Sequence, residues 1–177
     1  MKINSKLFHK IVKHNISGQL TNFGYIKTKG AMAGGCKPMN DKFFLFWFQC
    51  DKWGWEDNWG SSFTIEFQLS NSDEIAGGSL LQRGRLPTYL SDSELEVMRH
   101  KNNEVIKTTI GFKQQLQVVT EADGERIVAL GKEPSDKPYN SNLDPWFHYY
   151  LEDDIHFWST FFLERLPGIE LAIIGAG

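Results

Sequence analysis

Two apolar segments separated by a ten-residue connector constrain this chain more than any other feature. Phe43 to Cys50, reading FFLFWFQC, is a nearly continuous apolar run of strand length bounded by Asn40-Asp41 and Asp51. That pattern belongs to a central strand covered on both faces. Ser61 to Ser70, reading SSFTIEFQLS, alternates, with Phe63, Ile65, Phe67 and Leu69 pointing one way and Thr64, Glu66 and Gln68 the other. The two predict a hairpin. Its connector, DKWGWEDNWG, is long for a hairpin loop and carries Trp53, Trp55 and Trp59.

The remaining elements group around this pair. Asn4 or Ser5 caps a first helix whose Leu7, Phe8, Ile11, Val12, Ile16 and Leu20 recur at helical steps until Gly24. Tyr25 to Thr28 reads as a short strand, and the glycine-bearing stretch Lys29 to Pro38 as a loop. Asn71 to Leu90 has weak periodicity and reads as irregular or as a bent edge strand. Ser91 and Glu94 have capping-box spacing before a helix that continues toward Thr120, with Gly111 able to end or interrupt it. Arg126 to Leu130 reads as a strand and Gly131 to Leu143 as a loop. Asp144-Pro145 opens a third helix, expected to stop at Pro167-Gly168, with a last strand over Ile169 to Ile174.

At 177 residues, with no repeat and no linker that would divide it, the chain is expected to form one domain over 1–177. Its 14% aromatic share supplies large buried area per side chain, so disorder is not expected for most of the chain. The fold class that follows is α+β, an antiparallel sheet of four to six strands with about three helices packed mainly on one face, because the strands arrive in a run and the helices do not alternate with them.

Charge narrows the partners. A formal net charge of -3 repels a phosphate backbone at long range, so nucleic acid is not an expected partner. No apolar run has the length of a membrane span, and the first twenty residues lack a signal-like apolar core, which points to the cytoplasm. Cys36 and Cys50 fit neither a zinc pattern nor a disulfide framework and are expected to stay thiols, Cys50 as a small buried hydrophobe and Cys36 in a more exposed loop. No Walker loop, dinucleotide glycine motif or nucleophile elbow occurs, and no cofactor is expected.

Four groupings carry chemistry. Trp53, Trp55 and Trp59 alternate with Asp51, Glu56, Asp57 and Asn58, flat apolar faces beside short acceptors that suit a sugar ring, a planar ligand or a protein contact; the competing reading folds them back over the sheet as local core. Arg83 and Arg85 flank Gly84 where guanidinium groups would hold an anion, although salt bridges to the chain's own carboxylates are the stronger expectation. His148, Glu152 and His156 are spaced by four on the predicted third helix, so they drift by about 40° per step and share a face open to a metal. A solvated helix face explains them more simply. Glu66 and Gln68, with Asp51 or Asp57 upstream, resemble a magnesium-binding nuclease set without its lysine, and the polar side of an ordinary strand outweighs that reading.

The order of the first helix, Phe23-Gly24-Tyr25-Ile26-Lys27, the strand ending Phe48-Gln49, Ser62-Phe63-Thr64-Ile65-Glu66-Phe67 and Arg83-Gly84 resembles a bacterial family, domain of unknown function four-three-zero-four. The likeness spans the first half of the chain. It implies an α+β accessory domain of the kind found in mobile gene cassettes or beside toxin genes, and it brings no activity with it. The expectation is therefore a non-catalytic binding protein, immunity-like, that meets a protein partner or a small planar or sugar-like ligand through Trp53, Trp55, Trp59, Arg83 and Arg85. Homodimerisation is compatible with that reading. A metal-dependent hydrolase or nuclease built on His148, Glu152 and His156 is the alternative.

Overall fold

A computed structural model describes residues 2–118 and 146–175. Along the chain lie helix α1 (Ser5–Asn22), strands β1 (Ile26–Lys27), β2 (Gly34–Met39), β3 (Lys42–Cys50), β4 (Ser61–Ser70) and β5 (Leu80–Arg85), and a 3-10 turn (Leu86–Tyr89). Helices α2 (Asp92–Thr108) and α3 (Ile110–Val118), strand β6 (Phe147–Tyr149) and helix α4 (Glu152–Gly175) follow. All the described strands pair antiparallel in one six-stranded sheet ordered β1-β2-β3-β4-β5, with β6 also on β4. The class is α+β, as the sequence predicts, with four helices among the described residues rather than about three.

β3 and β4 form the expected hairpin, Phe46 opposite Phe67 and Phe48 opposite Ile65. The far edge of β4 is divided, β6 pairing with Ser61 to Phe63 and β5 with Glu66 to Ser70. On the core face, Phe44, Phe46, Phe48, Phe63 and Phe67 pack under α1 and α4. The Phe162 ring of α4 lies 4.8 Å from Phe46, and the Phe8 ring of α1 lies 4.8 Å from Phe63. Aromatic rings at these distances contribute packing beyond the area they bury.

The polar side of β4 departs from the simple amphipathic pattern, because all ten residues of the strand are buried. Most buried polar groups in a fold are hydrogen-bonded. Gln68 finds its partners in its own loop: Nε2 donates to Ser70 Oγ at 2.8 Å and to the Gly77 carbonyl at 3.2 Å, while Oε1 accepts the Ala76 N–H at 2.8 Å. Segment 71–79 thus folds over the end of the second face, and β5 follows it as the edge strand.

Other expectations are corrected. The stretch read as a loop before Pro38 contains β2, which buries Cys36 to 1% exposure. The second helix starts at the capping box, where Glu94 Oε2 accepts the Ser91 N–H at 2.8 Å, and it breaks at Thr109 into α2 and α3. The third helix does not run from Asp144: residues 147–149 are β6, and α4 begins at Glu152. It also does not stop at Pro167-Gly168, and the strand expected over Ile169 to Ile174 is helix. An interior proline costs a helix roughly 3 kcal/mol. Leu166, Ile169 and Ile173 are all buried around it, each contributing about 1.5–3 kcal/mol, so packing outweighs the missing hydrogen bond. Arg126 to Leu130, Gly131 to Leu143 and Asp144-Pro145 lie outside the described residues.

Candidate functional site

The connector between β3 and β4 is a pinned loop rather than a slack one. At its start the Asp51 N–H donates to the Ser62 carbonyl at 2.9 Å, and the Asp51 carboxylate accepts the Trp53 N–H at 3.0 Å and the Ser62 hydroxyl at 3.3 Å. At its end Glu56 and Gly60 exchange backbone hydrogen bonds of 2.8 and 2.7 Å, closing a tight turn. Gly60 has φ +78, and any Cβ there would run into the Tyr149 carbonyl, so glycine is required.

Two of the three indoles fasten this loop to the rest of the molecule. Trp55 stacks on Tyr150, donates from Nε1 to Asp57 at 3.1 Å, and packs against the core. The Tyr150 hydroxyl donates to the Asp57 carbonyl at 3.3 Å. Trp59 lies against Gly111 at the start of α3, whose N–H donates to the Asn58 carbonyl at 2.8 Å. The third indole behaves differently. Trp53 is 82% exposed, with the Lys52 ammonium over its ring, 4.7 Å from the centroid. The two sequence readings of the tryptophans therefore divide between residues, Trp55 and Trp59 folding inward and Trp53 pointing out.

Arg83 and Arg85 stand elsewhere, opposite Gln68 and Glu66 respectively. Five residues of strand separate Glu66 from Ser61, about 17 Å at 3.3–3.4 Å per residue, so the arginines and the tryptophan connector are separate places. Glu66 is 3% exposed and takes both guanidinium groups, Arg83 at 2.5 Å and Arg85 at 3.4 Å. Arg83 also lies over the buried Trp47 ring, 5.4 Å from its centroid. Their present role is to neutralise a buried carboxylate, the salt-bridge reading of the sequence.

His148, Glu152 and His156 do not share a helix face. His148 sits in β6, where its N–H donates to Asn102 Oδ1 at 2.8 Å and its carbonyl accepts Trp158 Nε1 at 2.8 Å. Glu152 and His156 form a half-exposed pair 3.6 Å apart on the first turns of α4. The neighbouring Asp154 is occupied in capping that helix, accepting the Tyr150 and Leu151 N–H groups at 3.0 and 2.8 Å, with Lys101 at 3.1 Å. Among the described residues, no three His, Cys, Asp or Glu side chains converge as a metal cage.

One pairing escapes the sequence reading. His9 of α1 accepts the Ala33 N–H on Nδ1 at 3.1 Å, which leaves the proton of the neutral ring on Nε2, 3.7 Å from Cys50 Sγ. Burial, with Lys13 nearby, lowers His9 to about 4, and burial beside Asp51 pushes the Cys50 thiol up to about 12. At neutral pH the pair is a thiol facing an N–H donor, not a thiolate beside a base, so it lacks the charge state of a cysteine nucleophile. Its residues come from distant segments, and Cys50, read as a buried hydrophobe because it ends an apolar run, is only partly buried.

Among the described residues no helix is long and apolar enough to cross a membrane. In comparisons with known proteins, no family model, no curated protein and no solved structure matches the chain.

Proposed function

We propose that the protein is a non-catalytic recognition module, of the bacterial accessory and immunity-like kind and cytoplasmic, whose contact element is the 51–60 connector and whose partner is another protein. The observation that carries this reading is the contrast within one loop: Trp55 and Trp59 are anchored, while Trp53 is left 82% exposed. A fastened loop that presents one indole places a large, flat, pre-ordered anchor in solvent. Binding then loses little conformational entropy, which is why tryptophan dominates many interfaces. Asp51, Glu56 and Asp57 in the same connector, with the net charge of -3, favour a partner with a basic surface.

The metal-dependent alternative has less behind it, since its three side chains are divided between β6 and α4 and Asp154 is committed to capping. The test places a photo-crosslinking phenylalanine at position 53 and, separately, at Leu171, an equally surface-placed site on α4 at 73% exposure. A discrete adduct from position 53, not matched at 171 and competed away by unlabelled protein but not by its Trp53→Ala form, supports the reading. Equal adducts at both positions, or competition by the Trp53→Ala form as strong as by wild type, overturn it.

A further inference from the structure

A recessed feature lies away from the connector, between α1 and the β1 segment with the turn that follows it, a groove of about 390 Å³. That volume is within the range of small-ligand sites, roughly 300–1,000 Å³. Its floor is apolar: Ile16 and Leu20 of α1 and Tyr25 are buried, and Met32 is half-buried. Its rim is basic, because Lys13 and Lys27 line it and, among the described residues, no aspartate or glutamate does, although the molecule as a whole carries net negative charge. The Lys13 ammonium is fixed at the mouth by a 2.7 Å bond to the Ala31 carbonyl, which takes one of its three donors. Glu170 lies behind Tyr25, accepting its hydroxyl at 2.7 Å, and is neutralised by Lys37 at 2.6 Å. Among the described residues, no carboxylate in the lining opposes an incoming anion.

We infer that this groove binds a small amphipathic carboxylate, its apolar body on Ile16, Leu20, Tyr25 and Met32 and its charged end between Lys13 and Lys27. At about 30 Å³ per water-sized group the groove holds on the order of a dozen such groups, the size of a medium-chain acid. Burying the chain supplies affinity, and the ammonium groups supply orientation and choice of charge.

Decanoate is the probe, followed through the methionine methyls of uniformly [¹³C-methyl]-methionine protein, in which the Met32 signal is identified by Met32→Leu. The chain has four methionines, so Met39 and Met98 serve as internal controls. The expected result is a saturable shift of Met32 alone, about tenfold weaker binding for decylamine and for decanol, and at least a tenfold loss in Lys27→Glu. A second variant, Thr21→Trp, fills the groove from an exposed position of α1 and is expected to abolish the shift without lowering the melting temperature. Binding that moves Met39 or Met98 instead, that treats decylamine like decanoate, or that survives both variants overturns the assignment, as does the absence of a Met32 shift at millimolar decanoate.

Discussion

Trp55 lies face to face with Tyr150, ring centroids 5.6 Å apart and planes 11° from parallel. This contact joins the β3–β4 connector to the turn that enters α4, and it explains why a long loop holds one shape. Truncating either ring should cost about 2–3 kcal/mol of stability, less than a fully buried aromatic because both are only half-buried. A double-mutant cycle of Trp55→Ala and Tyr150→Ala, read by urea denaturation, should return a coupling of about 0.5–1.5 kcal/mol. Additive losses would mean that the stack is incidental.

Glycine substitutions offer a paired test of close packing. A Cβ at Gly111 would meet the Trp59 ring at 2.5 Å, whereas Gly18, also helical, has nothing within 4 Å. Gly111→Ala should destabilise by about 1–3 kcal/mol through overpacking. Gly18→Ala should stabilise by about 0.5–1 kcal/mol. Matching urea midpoints for the two variants would contradict the position of Trp59.

The Glu66 cluster predicts asymmetry. Replacing both Arg83 and Arg85 by methionine strands a buried carboxylate and should cost about 3–5 kcal/mol. Changing Glu66 to Gln leaves two half-exposed guanidinium groups that water can reach, so the loss should be smaller, about 1–2 kcal/mol. The order of these two denaturation midpoints checks which partner the burial penalises.

His9 sets a pH window. Held at about 4 in the fold by burial, against 6.5 for a free imidazole, it leaves the unfolded chain with more bound protons between those values. Stability from this group is therefore complete above pH 6.5, falls as pH drops toward 4, and changes no further below. Glu94, lowered chiefly by the Ser91 N–H, adds its own loss only under its ordinary carboxylate range. Melting temperatures between pH 7 and 5 should decline less steeply for His9→Gln, whose amide oxygen can still accept the Ala33 N–H. Parallel curves would remove His9 from the explanation.

What could be read from sequence followed from strong local patterns. FFLFWFQC and SSFTIEFQLS reveal both strands and their pairing because bulky apolar residues there have no other stable place, and Ser91 with Glu94 marks the α2 start. Failures came where tertiary packing overrode a local signal. Gly34 and Gly35 look like turn residues, yet they sit inside β2 because a Cβ at either would strike Phe46, on its carbonyl at Gly34 and its ring at Gly35. Pro167-Gly168 looks like a helix stop, yet the buried Leu166, Ile169 and Ile173 carry α4 past it. The tryptophan connector was visible as a place, but which indole stays outside depends on Tyr150 and Gly111, supplied by remote parts of the chain. The α1–β1 groove had no signature at all, since its lysines and apolar floor come from segments that are unremarkable singly.

The claim on which the recognition reading rests is that Trp53 alone of the connector's indoles faces solvent. Labelling the six tryptophans with 5-fluorotryptophan and assigning lines by Trp53→Phe, Trp55→Phe and Trp59→Phe allows a direct comparison of their ¹⁹F solvent-isotope shifts between water and deuterium oxide. The Trp53 line should show the largest shift, with those of Trp55 and Trp59 clearly smaller. A Trp53 shift no larger than that of Trp55 would contradict the account.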